Sequence, residues 1–310
     1  MAEILPFSGI RYNPEKINDL SEVVTPPYDV ISDDEQEGYY RRHAFNVIRL
    51  DKPKATQKDT GTDNPYTRAA ADFNEWLKEG VLIRDKTPGF YLTSVDFNVN
   101  GRTVTRFGLI GTVRLEHFES GVILPHEETY SKVKSERLEL IKACHANFSH
   151  IFSVYSDQNN ILSTLKKKAL KTEPEAEFSD DSGHFHRMWR ITDPEICREV
   201  TGALKERRLF IADGHHRYET ALDYREWVRE NTPDFDENHP ANFIMMYLCA
   251  VEDQGLIILP THRLLPDITE PARQKLLEDA KKWFDVETFK HDPADSNAAR
   301  LELNKSMLSS

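Results

Sequence analysis

The sequence predicts a mixed α/β fold, in which helices cover a sheet of parallel and antiparallel strands. Segments with helical apolar spacing alternate with short apolar runs along most of the chain, an order typical of this class. Asn100-Gly101 lies between two β-rich runs and predicts a hairpin turn, because both turn positions favour positive φ. Hydrophobic residues make up 39% of the 310 residues, which is enough for a packed core at this length.

The first half of the chain begins with turn signals and continues with regular elements. Pro26-Pro27 excludes a helix at that point, because proline restricts its own φ and the residue before it. The segment NVIRL at 46–50 predicts a short strand. Apolar spacing then predicts a helix over 66–77, hairpin strands over 90–113, a helix over 131–146, a strand over 151–155 and a helix over 160–171.

The second half repeats the alternation. Asp193 as N-cap and Pro194 at the first helical position predict the start of a helix. The predicted elements are a strand over 185–191, a helix over 194–204, a strand over 208–212, a helix over 215–229, strands over 243–251 and 256–259, and a helix over 269–284. We divide the chain into an N-terminal α+β region, 1–125, and an α/β region, 126–310.

The composition indicates which classes of partner and which cellular location to expect for the chain. The chain has 40 Lys and Arg against 52 Asp and Glu, a net charge of −12, which disfavours nucleic acid as a partner. No stretch approaches the ~20 apolar residues of a membrane span, so we expect no membrane partner. The start of the chain lacks a signal-peptide pattern and the three cysteines form no CxxC pair, which together predict a cytoplasmic protein.

Common catalytic motifs are absent from the sequence. It contains neither the GxxxxGK[ST] phosphate loop nor GxGxxG, and neither GxSxG nor HExxH. These absences disfavour the common nucleotide-binding, hydrolase and metalloprotease sites.

The most informative segment is Asp213-Gly214-His215-His216-Arg217, which joins a predicted strand to a predicted helix. Backbone N–H groups and the positive end of the helix dipole make such a junction a ready anion site. Glycine allows a close approach, and the two histidines and the arginine add side-chain donors for phosphate. Two alternatives stay open: Asp213 as a structural N-cap, and a metal site that uses His215 or His216.

A second candidate region follows Leu124-Pro125. Glu127 or Glu128 there can serve as a general base, and Glu127 as a magnesium ligand, with His216 as a further candidate catalytic residue. The alternative is a capping and surface-charge cluster. Lys132, Lys134 and Arg137 follow, and a solvated helix face is the favoured interpretation for Lys134.

Other candidates lie apart in the sequence. Asp29, on the rigid turn after Pro26-Pro27, and the pair His262 and Arg263 are candidate substrate-binding residues. A loop clamp and an ion pair are the respective alternatives. His184 and His186 lie on one face of a predicted strand and can bind metal, although His186-Arg187 on an exposed strand is the favoured interpretation.

The segment DGHHRYETAL at 213–222 resembles the signature of domain-of-unknown-function family 1015. Other segments agree with that family in order, namely TPPYDVIS at 25–32, NVIRL at 46–50, HEETYSKVKSERLEL at 126–140, IFSVYS at 151–156 and LPTHRLL at 259–265. Members of the family usually run about a hundred residues longer, so the resemblance implies a chain that is short at its C-terminus.

The DGHHR segment is in turn similar to the GxxR phosphate-gripping loop of the ParB and sulfiredoxin superfamily. That resemblance implies a nucleotide-binding core with additional N-terminal elements, and ATP or ADP with Mg²⁺ as cofactors. Because the superfamily includes free-serine kinases, it implies a nucleotide-dependent phosphotransferase on a small hydroxylated metabolite such as serine or phosphoserine. The alternatives are a ParB-like nucleotide- or nucleic-acid-binding module and a non-catalytic sensor of a phosphometabolite.

Overall fold

A computed structural model of the chain describes residues 2–99, 101–129, 131–158, 160–258 and 266–286, together with 301 and 303. The chain divides into two compact units, Met1–Ile257 and Ile258–Ser310. In the described residues, the first unit contains every strand and seven helices, and the second contains one helix. None of the described helices is long and apolar enough to cross a membrane.

The described residues form a mixed α/β fold, as the sequence predicts. The strands are β1 (Ile4–Leu5), β2 (Ile10–Tyr12), β3 (Leu82–Arg84), β4 (Phe90–Val99), β5 (Arg102–Arg114), β6 (Ile123–Leu124), β7 (Ile151–Tyr155), β8 (Ala176–Ser179), β9 (Phe185–Ile191), β10 (Leu209–Asp213) and β11 (Phe243–Ala250). Nine of them make one mixed sheet in the order β6-β10-β7-β11-β5-β4-β9-β8, with β1 paired to β5. Strands β2 and β3 form a separate antiparallel pair.

The described helices are α1 (Asp33–Arg42), α2 (Ile48–Asp51), α3 (Pro65–Lys78), α4 (Ser131–Cys144), α5 (Ile161–Ala169), α6 (Pro194–Leu204), α7 (His215–Asn231) and α8 (Glu270–Ala280). Three of the helices, α1, α3 and α6, begin at side-chain N-caps. The Asn64 side chain accepts from two backbone N–H groups of the first turn of α3, and Asp193 does the same for α6. Ser32 and Glu35 form a reciprocal capping box at the start of α1.

The hairpin that the sequence predicts is confirmed by the strands on either side of it. Strands β4 and β5 pair in antiparallel register from Tyr91 opposite Ile110 to Val99 opposite Arg102. Gly101 has φ of 77°, the left-handed conformation that its place in the turn requires, whereas Asn100 lies outside the described residues.

The strand directions bring three connections to one edge of the sheet. Strand β10 runs parallel to β6 and antiparallel to β7, with Asp213 opposite Phe152. The carboxyl ends of β6 and β10 therefore lie beside the amino end of β7. The chain segments after β6, before β7 and after β10 meet at this edge, which positions the candidate site.

Two apolar clusters carry most of the packing. The larger one joins the central strands to α5, α6 and the first half of α7, with Ile151, Leu209 and Tyr218 fully buried. The second surrounds α3, where Phe73 and Trp76 pack beside Leu50 at the end of α2. The sequence assigns no function to these two aromatic residues, and they are core residues in the structure.

Some predicted elements differ from the structure. The NVIRL segment is not a strand: residues Ile48–Asp51 form the helical turn α2, and just before it the Asn46 side chain accepts the backbone N–H of Ile48, a local bond that competes with strand formation. Residues 256–258 are not a strand either, and residue 259 lies outside the described residues. The sheet takes strands from both of the regions 1–125 and 126–310, and the division between compact units falls after residue 257.

Candidate functional site

The DGHHR segment forms the turn between β10 and α7. Gly214 has φ of 95°, a left-handed conformation that favours glycine, and its carbonyl accepts the first intrahelical bond, from Tyr218 N–H at 3.0 Å. Within the described part of the chain, no side chain caps this end of the 17-residue helix. The N–H groups of its first turn therefore have no acceptor within the helix, and the positive end of the dipole lies at the turn.

Arg217 folds back over this turn. Its guanidinium donates to the main-chain carbonyl of His150 and to the carboxylate of Asp213. A Cβ atom on Gly214 would lie 3.0–3.2 Å from three guanidinium atoms of Arg217, so glycine is needed both for conformation and for space. The arginine side chain is 10% exposed and lines a cleft beside α7.

This cleft holds a second guanidinium, that of Arg137 on α4. Arg137 Nη1 donates to Asp51 Oδ1 at 2.9 Å, and Nη2 donates to the Asp51 carbonyl. Both partners are largely buried, and Ser149 Oγ lies 3.4 Å from the same carboxylate oxygen. The cleft is open to solvent, has a volume of about 40 Å³ and is lined by Asp51, Arg137, Leu140, Ile141, Ala146, Asn147, Phe148, Ser149, Arg217 and Thr220.

An aromatic ring from the N-terminal region borders the cleft. The guanidinium carbon of Arg137 lies 3.9 Å from the centroid of the Tyr28 ring, a cation–π contact. Burial raises the pKa of Tyr28, and the positive charges of Arg137 and Arg217 oppose that rise, so both cations act on this ring. Asp29, the predicted substrate-binding residue of the same turn, is exposed, and Tyr28 is the residue that contacts the cleft.

Thr220 is the one buried lining residue whose hydroxyl has no hydrogen-bond partner among the residues that the structure describes. It lies one turn after Arg217 on α7 and is 3% exposed. A buried hydroxyl without a partner is costly.

His215 is buried at the start of α7, in contact with the segment after β6. Its Nε2 accepts the main-chain N–H of His126 at 3.2 Å, so the proton of the neutral ring is on Nδ1, 3.4 Å from Glu127 Oε2. The His126 ring lies edge-on to the His215 ring, with centroids 4.5 Å apart. Burial, and then the neighbouring His126, lower the pKa of His215.

The two glutamates of this segment differ in their contacts. Glu127 is 60% exposed and lies beside both His126 and His215. Glu128 is exposed, and no hydrogen bond or ion pair involves it within the described part of the chain. His216 is half-buried on α7. The structure therefore brings Glu127 to the DGHHR turn through His215.

A second link joins this segment to α7. Glu219 accepts from Lys134 Nζ at 2.7 Å and from the Thr129 hydroxyl. Burial by itself would raise the pKa of Glu219, but these two hydrogen bonds outweigh it and keep the pKa below its usual value. Lys134 is thus an ion-pair residue between α4 and α7, not a fully solvated one. His262 and Arg263 lie outside the described residues, as does the side chain of Lys132.

Behind Arg217, three buried polar atoms lack partners in the described residues: His150 Nδ1, Tyr247 Oη and Arg106 Nε. The His150 ring stacks on Tyr247, with centroids 5.4 Å apart, and Arg106 lies 5.8 Å from the Tyr247 centroid. His150, whose ring stacks on Tyr247, is also the residue whose carbonyl accepts from Arg217.

Sequence reasoning missed several cleft residues. Asp51, Ser149 and Thr220 come from segments whose local pattern signals only a loop after a predicted strand, a loop and a helix face. The signal that could have found Asp51 is its position directly after the NVIRL family segment. Arg137 and the DGHHR turn were candidates, and the structure adds the contacts between them.

A protein-family model described as "Protein of unknown function (DUF1015)" matches residues 4–307 of the chain. Comparison with curated proteins and with solved structures gave no match.

Proposed function

The chain belongs to the DUF1015 family, and from that premise and the geometry of the cleft we propose that it is a nucleotide-dependent phosphotransferase acting on a small hydroxylated metabolite. Serine or phosphoserine is the first candidate substrate, from the resemblance of the DGHHR segment to the ParB and sulfiredoxin superfamily. ATP or ADP with Mg²⁺ is the proposed cofactor.

One observation carries the proposal: two guanidinium groups, from Arg137 and Arg217, line a single cleft beside the uncapped start of α7. Each guanidinium has five N–H donors, and the protein bonds described above use two of them, on Nη1 and Nη2. The remaining donors are available to phosphate oxygens, for which arginine offers a planar fork.

In this proposal, the carboxylates of Asp51 and Asp213 orient Arg137 and Arg217 and still leave room for a phosphate beside them. Asp51 fixes Arg137, and Asp213 fixes Arg217, so that little side-chain entropy is lost when a ligand binds. The N–H groups at the start of α7 add main-chain donors of the kind that bind phosphate at helix N-termini. Thr220, one turn further along α7, also lines the cleft.

The residues around His215 fit a magnesium ion bound through oxygen. Glu127 Oε2 lies 3.4 Å from His215 Nδ1, which places one exposed carboxylate beside this turn, and Mg²⁺ is commonly held by one or two carboxylates together with phosphates. Glu127 would hold the ion, which would offset the negative charge of the phosphates.

Side chains near the DGHHR turn would also act on the hydroxyl group that accepts the phosphoryl group. Glu127 or Glu128 would accept the proton of the attacking hydroxyl, and His216 on the first turn of α7 would contact the transferred group. Buried His215, neutral and held by His126, positions Glu127 and is too enclosed to bind substrate itself.

The experiment that tests the proposal is a coupled assay of nucleotide turnover. The full chain is supplied with Mg·ATP, and separately with Mg·ADP, over a panel of hydroxylated metabolites that includes serine. We expect turnover with at least one of them, lost in Arg217→Gln and retained in Arg229→Gln. Arg229 is the matched control because it lies on the same helix, pairs with Glu226 and contacts the Phe235 ring, and is not among the residues that line the cleft in the described structure.

Turnover with none of the acceptors would contradict the phosphotransferase. Nucleotide binding without turnover would favour the nucleotide-binding module, and binding of a phosphorylated metabolite alone would favour the sensor.

A further inference from the structure

The turn between β8 and β9 gathers three side chains that ligate metals. Asp180 Oδ2 lies 2.9 Å from His186 Nε2 and 3.2 Å from His184 Nδ1. The three potential ligand atoms all lie within 4.8 Å of one another. Among the residues that the structure describes, no other group of three or more His, Cys, Asp or Glu has this geometry.

These separations are close to those of a metal's coordination shell. Zinc binds imidazole nitrogen and carboxylate oxygen at roughly 2.0–2.2 Å, so tetrahedral ligand atoms are about 3.3 Å apart. The two distances from Asp180 fall just inside this value. A small rotation of the two imidazoles would bring all three atoms to one ion.

The backbone of the turn fixes the carboxylate. Asp180 Oδ1 accepts the N–H groups of Ser182 and His184, each at 2.9 Å, which leaves Oδ2 directed at the imidazoles. Gly183 has φ of 75° and donates to the Asp180 carbonyl at 2.9 Å, which closes the turn. Hydrogen bonds to the non-ligating oxygen are how metal sites hold a carboxylate in place.

Aromatic contacts restrain both imidazoles. The His186 ring stacks on Phe178, with centroids 4.7 Å apart and planes 3° from parallel, and the His184 ring meets the edge of Phe97 at 6.0 Å. The three ligating residues are half-buried, so an ion can enter from solvent. Little reorganisation is required for binding.

We propose that Asp180, His184 and His186 form a binding site for a divalent transition metal of the zinc type. Two imidazoles and one carboxylate suit Zn²⁺ or Co²⁺ better than Mg²⁺ or Ca²⁺, which prefer oxygen ligands. Three protein ligands leave a fourth position for water or for a small ligand, as in open zinc sites. The proposal uses no residue of the cleft and does not depend on the phosphotransferase.

The test is a titration of the untagged full chain with Co²⁺, followed by visible absorption, and a competition with Zn²⁺. We expect one equivalent of Co²⁺ with the absorption of a four-coordinate site, displaced by Zn²⁺. Asp180→Asn and His186→Gln should each weaken the affinity at least tenfold. His239→Gln, a half-buried histidine elsewhere, should leave it unchanged.

A second readout separates binding from misfolding. Zn²⁺ should raise the Tm of the wild-type chain and not that of Asp180→Asn, because a ligand that binds the native state stabilises it. The proposal is overturned if the wild-type chain binds no Co²⁺, or if the variants bind it as tightly as the wild type. It is equally overturned if His239→Gln alone loses the site.

Discussion

Arg137 on α4 lies over the ring of Tyr28, with 3.9 Å between the guanidinium carbon and the ring centroid. This contact attaches a turn of the N-terminal region to the cleft. Arg137 is bonded on its other side to Asp51, so the guanidinium is held between an aromatic face and a carboxylate. The arginine is therefore oriented before any ligand arrives.

Removal of the Tyr28 ring should weaken phosphate binding. Tyr28→Ala loses a cation–π contact of about 1 kcal/mol, which corresponds to roughly a fivefold weaker affinity if orientation of Arg137 carries the effect. Tyr28→Phe keeps the ring and should bind like the wild type. Calorimetric titration with Mg·ATP measures both. A Phe variant as weak as the Ala variant would show that the hydroxyl, not the ring, matters.

Gly214→Ala should destabilise the chain and weaken binding together. The φ of 95° disfavours any L side chain, and the new Cβ would lie 3.0 Å from Arg217 Nε. We expect a loss of about 1–3 kcal/mol in the free energy of unfolding. Gly202→Ala in α6 is the control, because nothing lies within 4 Å of its Cβ and alanine favours a helix. Equal losses in the two variants would contradict the account.

Thr220→Val should stabilise the chain and weaken its binding. The buried hydroxyl has no partner in the described structure, so its replacement by a methyl group removes an unsatisfied polar atom and should raise the unfolding free energy by about 1 kcal/mol. Phosphate affinity should fall several-fold if the hydroxyl contacts the ligand. Thr201→Val is the control, since its hydroxyl donates to the Ile4 carbonyl at 2.9 Å and its loss should destabilise. An unchanged affinity in Thr220→Val would exclude the hydroxyl from the site.

Acid should destabilise the native state through His150. Burial, and then the charge of Arg217, lower the pKa of His150 to about 4. In the unfolded chain the pKa of His150 is about 6.5. Between about pH 4 and pH 6.5 the unfolded state therefore binds more protons than the native state. Stability is therefore lost as pH falls from about 6.5 to 4, by on the order of 3 kcal/mol, and this contribution is constant above that window.

Urea unfolding at pH 7 and pH 5 measures this effect. His150→Phe keeps a ring against Tyr247 and should lose less stability at pH 5 than the wild type does. His145→Asn, at an exposed position, should behave as the wild type. The same acid sensitivity in all three proteins would assign the effect to other groups.

The fold class and most elements follow from local patterns, whereas the site depends on contacts between distant segments. Helix α6 begins at Pro194 and ends at Leu204 as predicted, because Asp193 and Pro194 define its start and apolar spacing its length. The apolar segment after Asn46 has strand propensity but forms the helix α2. The Asn46 side chain accepts the Ile48 N–H just before that helix, and this local bond competes with strand formation.

The DGHHR turn was a candidate from its strand–glycine–helix pattern, and its geometry agrees with that pattern. The contact of Arg137 with Tyr28 and Asp51 was not predictable, because no local spacing relates α4 to the N-terminal turn or to the end of α2. Likewise, burial of His215 follows from the register of β6 beside β10, which is a property of the whole sheet.

The most direct test of the phosphate-binding cleft is a calorimetric titration of the full chain with Mg·ATP and with Mg·ADP. We expect the wild type to bind one of them with an affinity that falls as salt rises. Arg217→Gln and Arg137→Gln should each weaken it at least tenfold, about 1.4 kcal/mol. Arg229→Gln should bind as the wild type does. A folded Arg217→Gln with full affinity, or a wild-type chain that binds neither nucleotide, would contradict the account.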